Sequence, residues 1–234
     1  MVKGLEIIES YIFGLDIGQQ NDFTALIGLK KCEYAATPEE PDLTVPETDY
    51  HVGHIERFEL GTSYPNIAKR VQAIVNSRPR FAGAMLAIDQ TGVGRPVVDI
   101  FRLLPMQCSL IPITITGGHN ASEHDDGWHV PKKDLVGVVQ VLLSSQRLKF
   151  PRKLAGVDVL VAELQSFKVK ITAAANEQYG EWRIGKNDDT VLGSALGLWA
   201  GENLSYPSDN AFGGTGERNR MMTARAPEGV WGGE

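Results

Sequence analysis

AMLAIDQTGVGRPVVDIFRLLPMQCSLIPITI, residues 84–115, decides the fold. It opens on a short apolar run, Ala84–Asp89, that ends in an acid. A helical stretch over 94–104 follows, with Val97, Val98, Ile100, Phe101 and Leu104 apolar, and then a second apolar run over Cys108–Ile115. Just upstream, Tyr50–Leu60 alternates like a strand. From Tyr64 onward, Ile67, Val71, Ile74 and Val75 share one helical face, with Pro65 in the first turn. Strands alternating with helices in this way call for a parallel sheet with helices packed on its faces.

Further upstream, Tyr11–Asp16 (YIFGLD) and Phe23–Leu29 (FTALIGL) flank a polar, glycine-containing connection and read as a hairpin. Residues 34–48 hold three prolines and little hydrophobic periodicity, so they form a loop. With Tyr50–Leu60 the hairpin becomes an antiparallel three-strand meander. Downstream, residues 116–130 read as a glycine-, histidine- and acid-rich loop, and Pro131 opens a helix through Val136, Val139, Leu142 and Leu143. A second helix is expected over roughly Lys153–Phe167, a small hairpin over Val169–Trp182, and a last helix over Asp188–Leu204 with Asn187 as N-cap. The expectation is an α/β fold: a mixed sheet, meander plus parallel strands, with helices on both faces. Residues 1–204 form one domain, and residues 205–234, rich in Gly, Pro, Asn and Arg, form a mobile tail.

The chain has 234 residues, 42% of them hydrophobic, enough for one sizeable α/β core. No apolar run reaches the ~18–20 residues that span a bilayer, and MVKGLEIIES lacks the apolar core of a signal peptide. Cys32 and Cys108 have no metal-site spacing and are expected as buried free thiols. The net charge of −6 is unevenly spread: residues 1–129 carry 10 basic and 17 acidic side chains, whereas residues 130–186 carry 10 and 5. That basic middle segment suits a phosphate backbone even in an acidic chain.

Two strands end in an aspartate, Asp16 and Asp89. If the strands are neighbours, both carboxylates emerge at one edge, and hard divalent cations take such oxygen ligands. The third contribution comes from the last helix. Counted helically from Asp188, positions 191, 192, 195, 196 and 199 are Val, Leu, Ala, Leu and Trp, so Asp188 lies on the apolar stripe. This sets Asp188 as the inner ligand and Asp189 as the adjacent or outer one. The plainer alternative is two acids complementing the helix dipole.

Taken in order, Asp16 followed by NDFTALIGL, IDQTGVGRPVVD (88–99), HVPKKDLV (129–136) and GKNDDTVLGSAL (185–196) resemble the C-terminal nuclease domain of tailed-phage terminase large subunits. That family usually has a histidine before the paired aspartates, where this chain has Asn187. The resemblance implies a ribonuclease H-like domain that cuts double-stranded DNA with two Mg2+ or Mn2+ ions. It implies Asp16 as the bridging ligand, Asp89 on one ion, Asp188 on the other and Asp189 in support. The implied partners are DNA, an ATPase domain, the small terminase subunit and the portal, and the implied location is the cytoplasm of an infected bacterial host. The chain has no G-x-x-x-x-G-K-[ST] phosphate loop of its own. A Holliday-junction resolvase and a non-catalytic docking module of a packaging motor are the alternatives. An actin-like or sugar-kinase ATPase needs two such domains.

DNA-contacting candidates are Arg95 after the Ala84–Asp89 strand, Lys132 and Lys133 at a helix start, and Lys168, Lys170, Arg183 and Lys186 around the expected 169–182 hairpin. Gly92 and Gly94 lack the third glycine of a dinucleotide loop, where Val97 stands. His119, Glu123, His124, Asp125, Asp126 and His129 resemble a metal cluster but read more simply as solvated loop side chains. Asp22 could reach Asp16, though a turn role is simpler.

Overall fold

The computed structural model describes residues 4–18, 22–92, 95–174 and 188–204, with 167–174 as backbone alone. Strands β1 (Leu5–Asp16), β2 (Ala25–Ala36) and β3 (Asp49–Arg57) form the expected antiparallel meander. Helix α1 (Tyr64–Val75) leads to β4 (Ala84–Asp89), and helix α2 (Arg95–Arg102) to β5 (Cys108–Thr116). Then come β6 (Ser122–His124), β7 (Gly127–Pro131), α3 (Lys132–Ser144), β8 (Leu148–Lys149), α4 (Val157–Ala174) and α5 (Asp189–Asn203). The strands make one eight-stranded sheet in the order β6-β7-β5-β4-β1-β2-β3-β8. β4 is parallel to both β1 and β5. This is the expected mixed α/β sheet, meander followed by parallel strands.

Strand alternation divides the core in two. Ile12, Ile27, Met85 and Ala87 point to one face, where α3, α4 and α5 pack with Leu135, Leu160 and Leu196. Phe13, Leu15, Leu86 and Ile88 point to the other, under Ile67 and Val71 of α1 and Val98 and Phe101 of α2. Trp199 is buried edge-on to Trp128, ring centroids 5.5 Å apart, as a packing residue. No helix among the described residues is long and apolar enough to cross a membrane.

Four expectations are corrected. The 116–130 loop holds a hairpin, β6 and β7, because Trp128 and Val130 alternate into the core beside β5. Its turn is Asp125-Asp126, between the paired His124 and Gly127, and Gly127 at φ +130° lies so near Pro112 that a Cβ would meet its carbonyl oxygen at 2.3 Å. The helix expected over Lys153–Phe167 begins at Val157, since successive turns pair Leu154 N–H with the Pro151 carbonyl and Val157 N–H with that of Leu154. It also runs on to Ala174. The hairpin expected over Val169–Trp182 is therefore helical in its first six positions, and positions 175–182 lie outside the described residues. β-Branched Val169, Ile171 and Thr172 suggest a strand in isolation, but the helix continues through them. The N-cap of the last helix is Asp188 rather than the expected Asn187, because the helix begins at Asp189; Asn187 itself, Trp182 and the 205–234 tail lie outside the described residues.

Candidate metal centre

Strand register alone gathers the first acids. Leu15 of β1 pairs with Ile88 of β4, so Asp16 and Asp89 end adjacent parallel strands one position further on. Asp16 has the parity of Ile12 and Gly14, and Asp89 that of Met85 and Ala87, so both carboxyls leave the sheet on the α5 face. On the other side, Asp16 is opposite Ala25 and Ala25 opposite Arg57. Four neighbouring strands thus present Asp89, Asp16, Ala25 and Arg57 in a row.

Helix α5 descends on this row because glycines let it. A Cβ on Gly14 would stand 1.9 Å from the Gly193 carbonyl oxygen and 2.8 Å from the Gly197 amide nitrogen. The first turn of α5 then brings Asp188 and Asp189 to the end of β1. The helical count expected a one-sided stripe, but α5 is buried on nearly every side, from Asp189 to Gly201 with Leu192 half-buried. Both aspartates are buried as a result, Asp188 at 3% exposure and Asp189 at 9%, alongside Asp16 at 8% and Asp89 at 9%.

Burial pushes Asp16's carboxyl well above the usual carboxylate range, and the charges of Asp89, Asp189, Asp22 and Glu163 push it further. Asp188 stands beside Lys132, whose ammonium burial pushes down and Asp188 holds up. Burial also raises Asp89, against two hydrogen bonds from Thr91: its amide at 2.7 Å and its hydroxyl, both to Oδ1. Thr91 is itself fixed, because Ile115 N–H donates to its hydroxyl at 2.7 Å. Asp189 is raised by burial, opposed by a 2.7 Å bond from Arg57 Nη2.

Glu163 of α4 is the acid that sequence inspection did not single out. The α5 N-cap, Asp188, makes no side-chain cap bond; Glu163 Oε2 accepts from the amides of Thr190 (3.0 Å) and Val191 (3.3 Å) and from the Thr190 hydroxyl. Burial raises its carboxyl against those bonds. Its other oxygen, Oε1, is buried with no hydrogen-bond partner among the described residues. The signal was present: Leu160, Glu163 and Leu164 stand at i, i+3 and i+4 on one helical face, an acid on an apolar stripe. Arg57 is not singled out by the sequence either, because its carboxylate partners lie more than a hundred residues away.

Such a donor set suits a hard divalent cation. Asp16, Asp89 and Asp189 supply carboxylate oxygens only, buried together and mutually repelling. Glu163 Oε1, buried without a hydrogen-bond partner among the described residues and 4.0 Å from Arg57 Nη2, adds one more buried acceptor.

A second grouping, Cys32, Asp49 and His51, brings three ligand atoms within 4.8 Å of one another. Both cysteines are free thiols as expected, Cys32 buried beside these polar groups and Cys108 half-buried. Asp49 already accepts from the Tyr34 hydroxyl (3.0 Å), lies 3.0 Å from His51 Nε2 and pairs with the Lys149 ammonium. That cluster is balanced without an ion. Two of the three histidines in 116–130 form another patch. His124 and His129 stack at 3.9 Å between centroids, and Asp126 lies 3.4 Å from His129 and 3.3 Å from Arg95.

Of the DNA-contacting candidates, Arg95 and Lys133 are exposed and Lys132 is half-buried beside Asp188. Lys168 and Lys170 belong to α4, and their side chains lie outside the described residues, as do Arg183 and Lys186.

No family model matches the chain, and no curated protein sequence matches it. Among solved structures it is similar to the large terminase nuclease from thermophilic phage G20c. With bound zinc, that protein is 16% identical, with a TM-score of 0.44, over 81% of this chain and 80% of that one. With bound magnesium the values are 16%, 0.45, 81% and 80%. A third structure of the same nuclease gives 16% and 0.44 over 81% of each chain. The buried carboxylate cluster, rather than that likeness, is what the chain offers for a functional reading.

Proposed function

We propose that this chain is a divalent-metal-dependent endonuclease that cuts double-stranded DNA, serving viral genome packaging as the nuclease of a large terminase subunit. The observation that carries the reading is Asp16, buried and set among the charges of Asp89, Asp189, Asp22 and Glu163. A fold does not gather five acids around one strand end for its own stability, since burying like charges is costly. A cation makes the arrangement favourable.

Asp16, Asp89 and the Asp188/Asp189 pair would hold two Mg2+ or Mn2+ ions. Bound there, the ions supply the charge that activates water and stabilises the leaving oxygen in phosphodiester hydrolysis. The chain's own residues fix the geometry. Thr91 holds one oxygen of Asp89, Glu163 anchors the first turn of α5, and Gly14 sets the depth at which Asp189 meets Asp16. Arg95, Lys132, Lys133, Lys168, Lys170, Arg183 and Lys186 are proposed to follow the DNA backbone, with the ATPase domain, small subunit and portal as assembly partners in the host cytoplasm. Supercoiled plasmid with Mn2+ tests the reading. Nicking or linearisation that EDTA stops, and that Asp16→Asn lacks, supports it; an intact plasmid at every metal concentration rejects it.

A further inference from the structure

Arg57 ends β3 in the same cross-strand row as Asp16, and its guanidinium meets Asp189 and Glu163. Nη2 donates to Asp189 Oδ2 at 2.7 Å and stands 4.0 Å from Glu163 Oε1. Its guanidinium carbon sits 3.9 Å from the centroid of the Phe23 ring, which covers one face. Yet the contact is incomplete. Arg57 Nε and Glu163 Oε1 are both buried without a hydrogen-bond partner among the described residues. A guanidinium fork can meet a carboxylate with two parallel bonds; here it makes one.

We infer that Arg57 is a resident counter-cation, holding Asp189 in the metal-free protein and competing with the divalent ion for it. The inference rests on the proposed metal-nuclease reading. A guanidinium brings one delocalised charge to Asp189, and a divalent ion brings two concentrated ones, so the ion displaces the arginine only by giving back part of its binding energy. Arg57 thereby limits self-repulsion among the acids when no metal is bound, at the cost of weaker metal binding.

Calorimetric titration of Mn2+ into the whole chain, with thermal melts, tests this on wild type, Arg57→Gln and Arg57→Lys. Arg57→Gln should bind Mn2+ roughly fivefold more tightly, the equivalent of losing an ion pair of this exposure. Its metal-free melting temperature should fall, and its Mn2+-induced rise should exceed that of wild type. Arg57→Lys, which keeps the charge but not the fork, should fall between the two, and it decides the matter alone if Arg57→Gln does not fold. Equal or weaker Mn2+ binding in the variants, with wild type binding normally, overturns the competition: Arg57 would then orient Asp189 for the ion instead. Wild type that takes up no Mn2+ overturns the metal-nuclease reading itself, and the competition with it.

Discussion

Gly14 and Gly193 touch backbone to backbone, so closely that a methyl group on Gly14 would lie 1.9 Å from the Gly193 carbonyl oxygen. This contact sets how far α5 sinks onto β1, and hence how near Asp189 comes to Asp16.

Gly14→Ala should therefore be severe. The obstructing atoms are backbone, so no side chain can rotate away and the helix itself must lift. A loss of about 3 kcal/mol or more is expected in chemical denaturation, together with loss of Mn2+ binding. Gly137→Ala in α3 is the control: nothing lies within 4 Å of the added carbon, and its stability should rise by about 0.5–1 kcal/mol.

Acid clusters shape the pH dependence of the metal-free chain. Burial and neighbouring acids hold Asp16 well above the usual carboxylate range. A carboxyl whose folded pKa exceeds its unfolded value favours folding in acid and loses that contribution as pH rises through the folded value. Asp89, Asp189 and Glu163 are raised in the same direction. Metal-free protein should thus weaken as these groups ionise. Asp16→Asn should be more stable than wild type at neutral pH, by on the order of 1 kcal/mol, and the difference should vanish in acid. Urea melts across pH check it, and a wild type that gains stability over that rise contradicts it.

Glu163 anchors α5 through two amides and a hydroxyl. Glu163→Ala leaves those donors buried and unpaired, costing about 1–3 kcal/mol; Glu163→Gln keeps an acceptor and should cost less. Thermal denaturation of the two variants separates the anchoring role from a charge requirement.

The Cys32–Asp49–His51 cluster should take no ion. Cys32→Ser is expected to leave the Zn2+ and Mn2+ stoichiometries at wild-type values, whereas Asp49→Ala should destabilise by about 1–3 kcal/mol by orphaning Tyr34 and Lys149. Loss of a bound Zn2+ in Cys32→Ser would contradict this.

Arg95→Ala and Lys133→Ala should each weaken DNA binding uniformly across sequences. Each phosphate contact removed should reduce the slope of log affinity against log salt by about 0.9. An unchanged slope removes that residue from the interface.

Much was legible in the residues in order. Short apolar runs ending in Asp16 and Asp89, with an amphipathic segment before the second, are local patterns, and local patterns specify strands, helices and the α/β class. They also named the acids. What sequence misread was local structure decided at a distance: β7 exists because β5 offers it an edge, and α4 runs through β-branched residues that alone suggest a strand. The helical count assumed a one-sided α5, and only packing shows a helix enclosed by sheet and neighbouring helices, with Asp189 acting on Asp16 and Asp188 standing beside Lys132. Arg57 and Glu163 enter the site through contacts spanning 132 and 27 positions. The chain's periodicities determined which elements form and which acids end them. The tertiary structure decided which charges meet, because Coulomb and burial terms depend on distance in space, which periodicity does not encode.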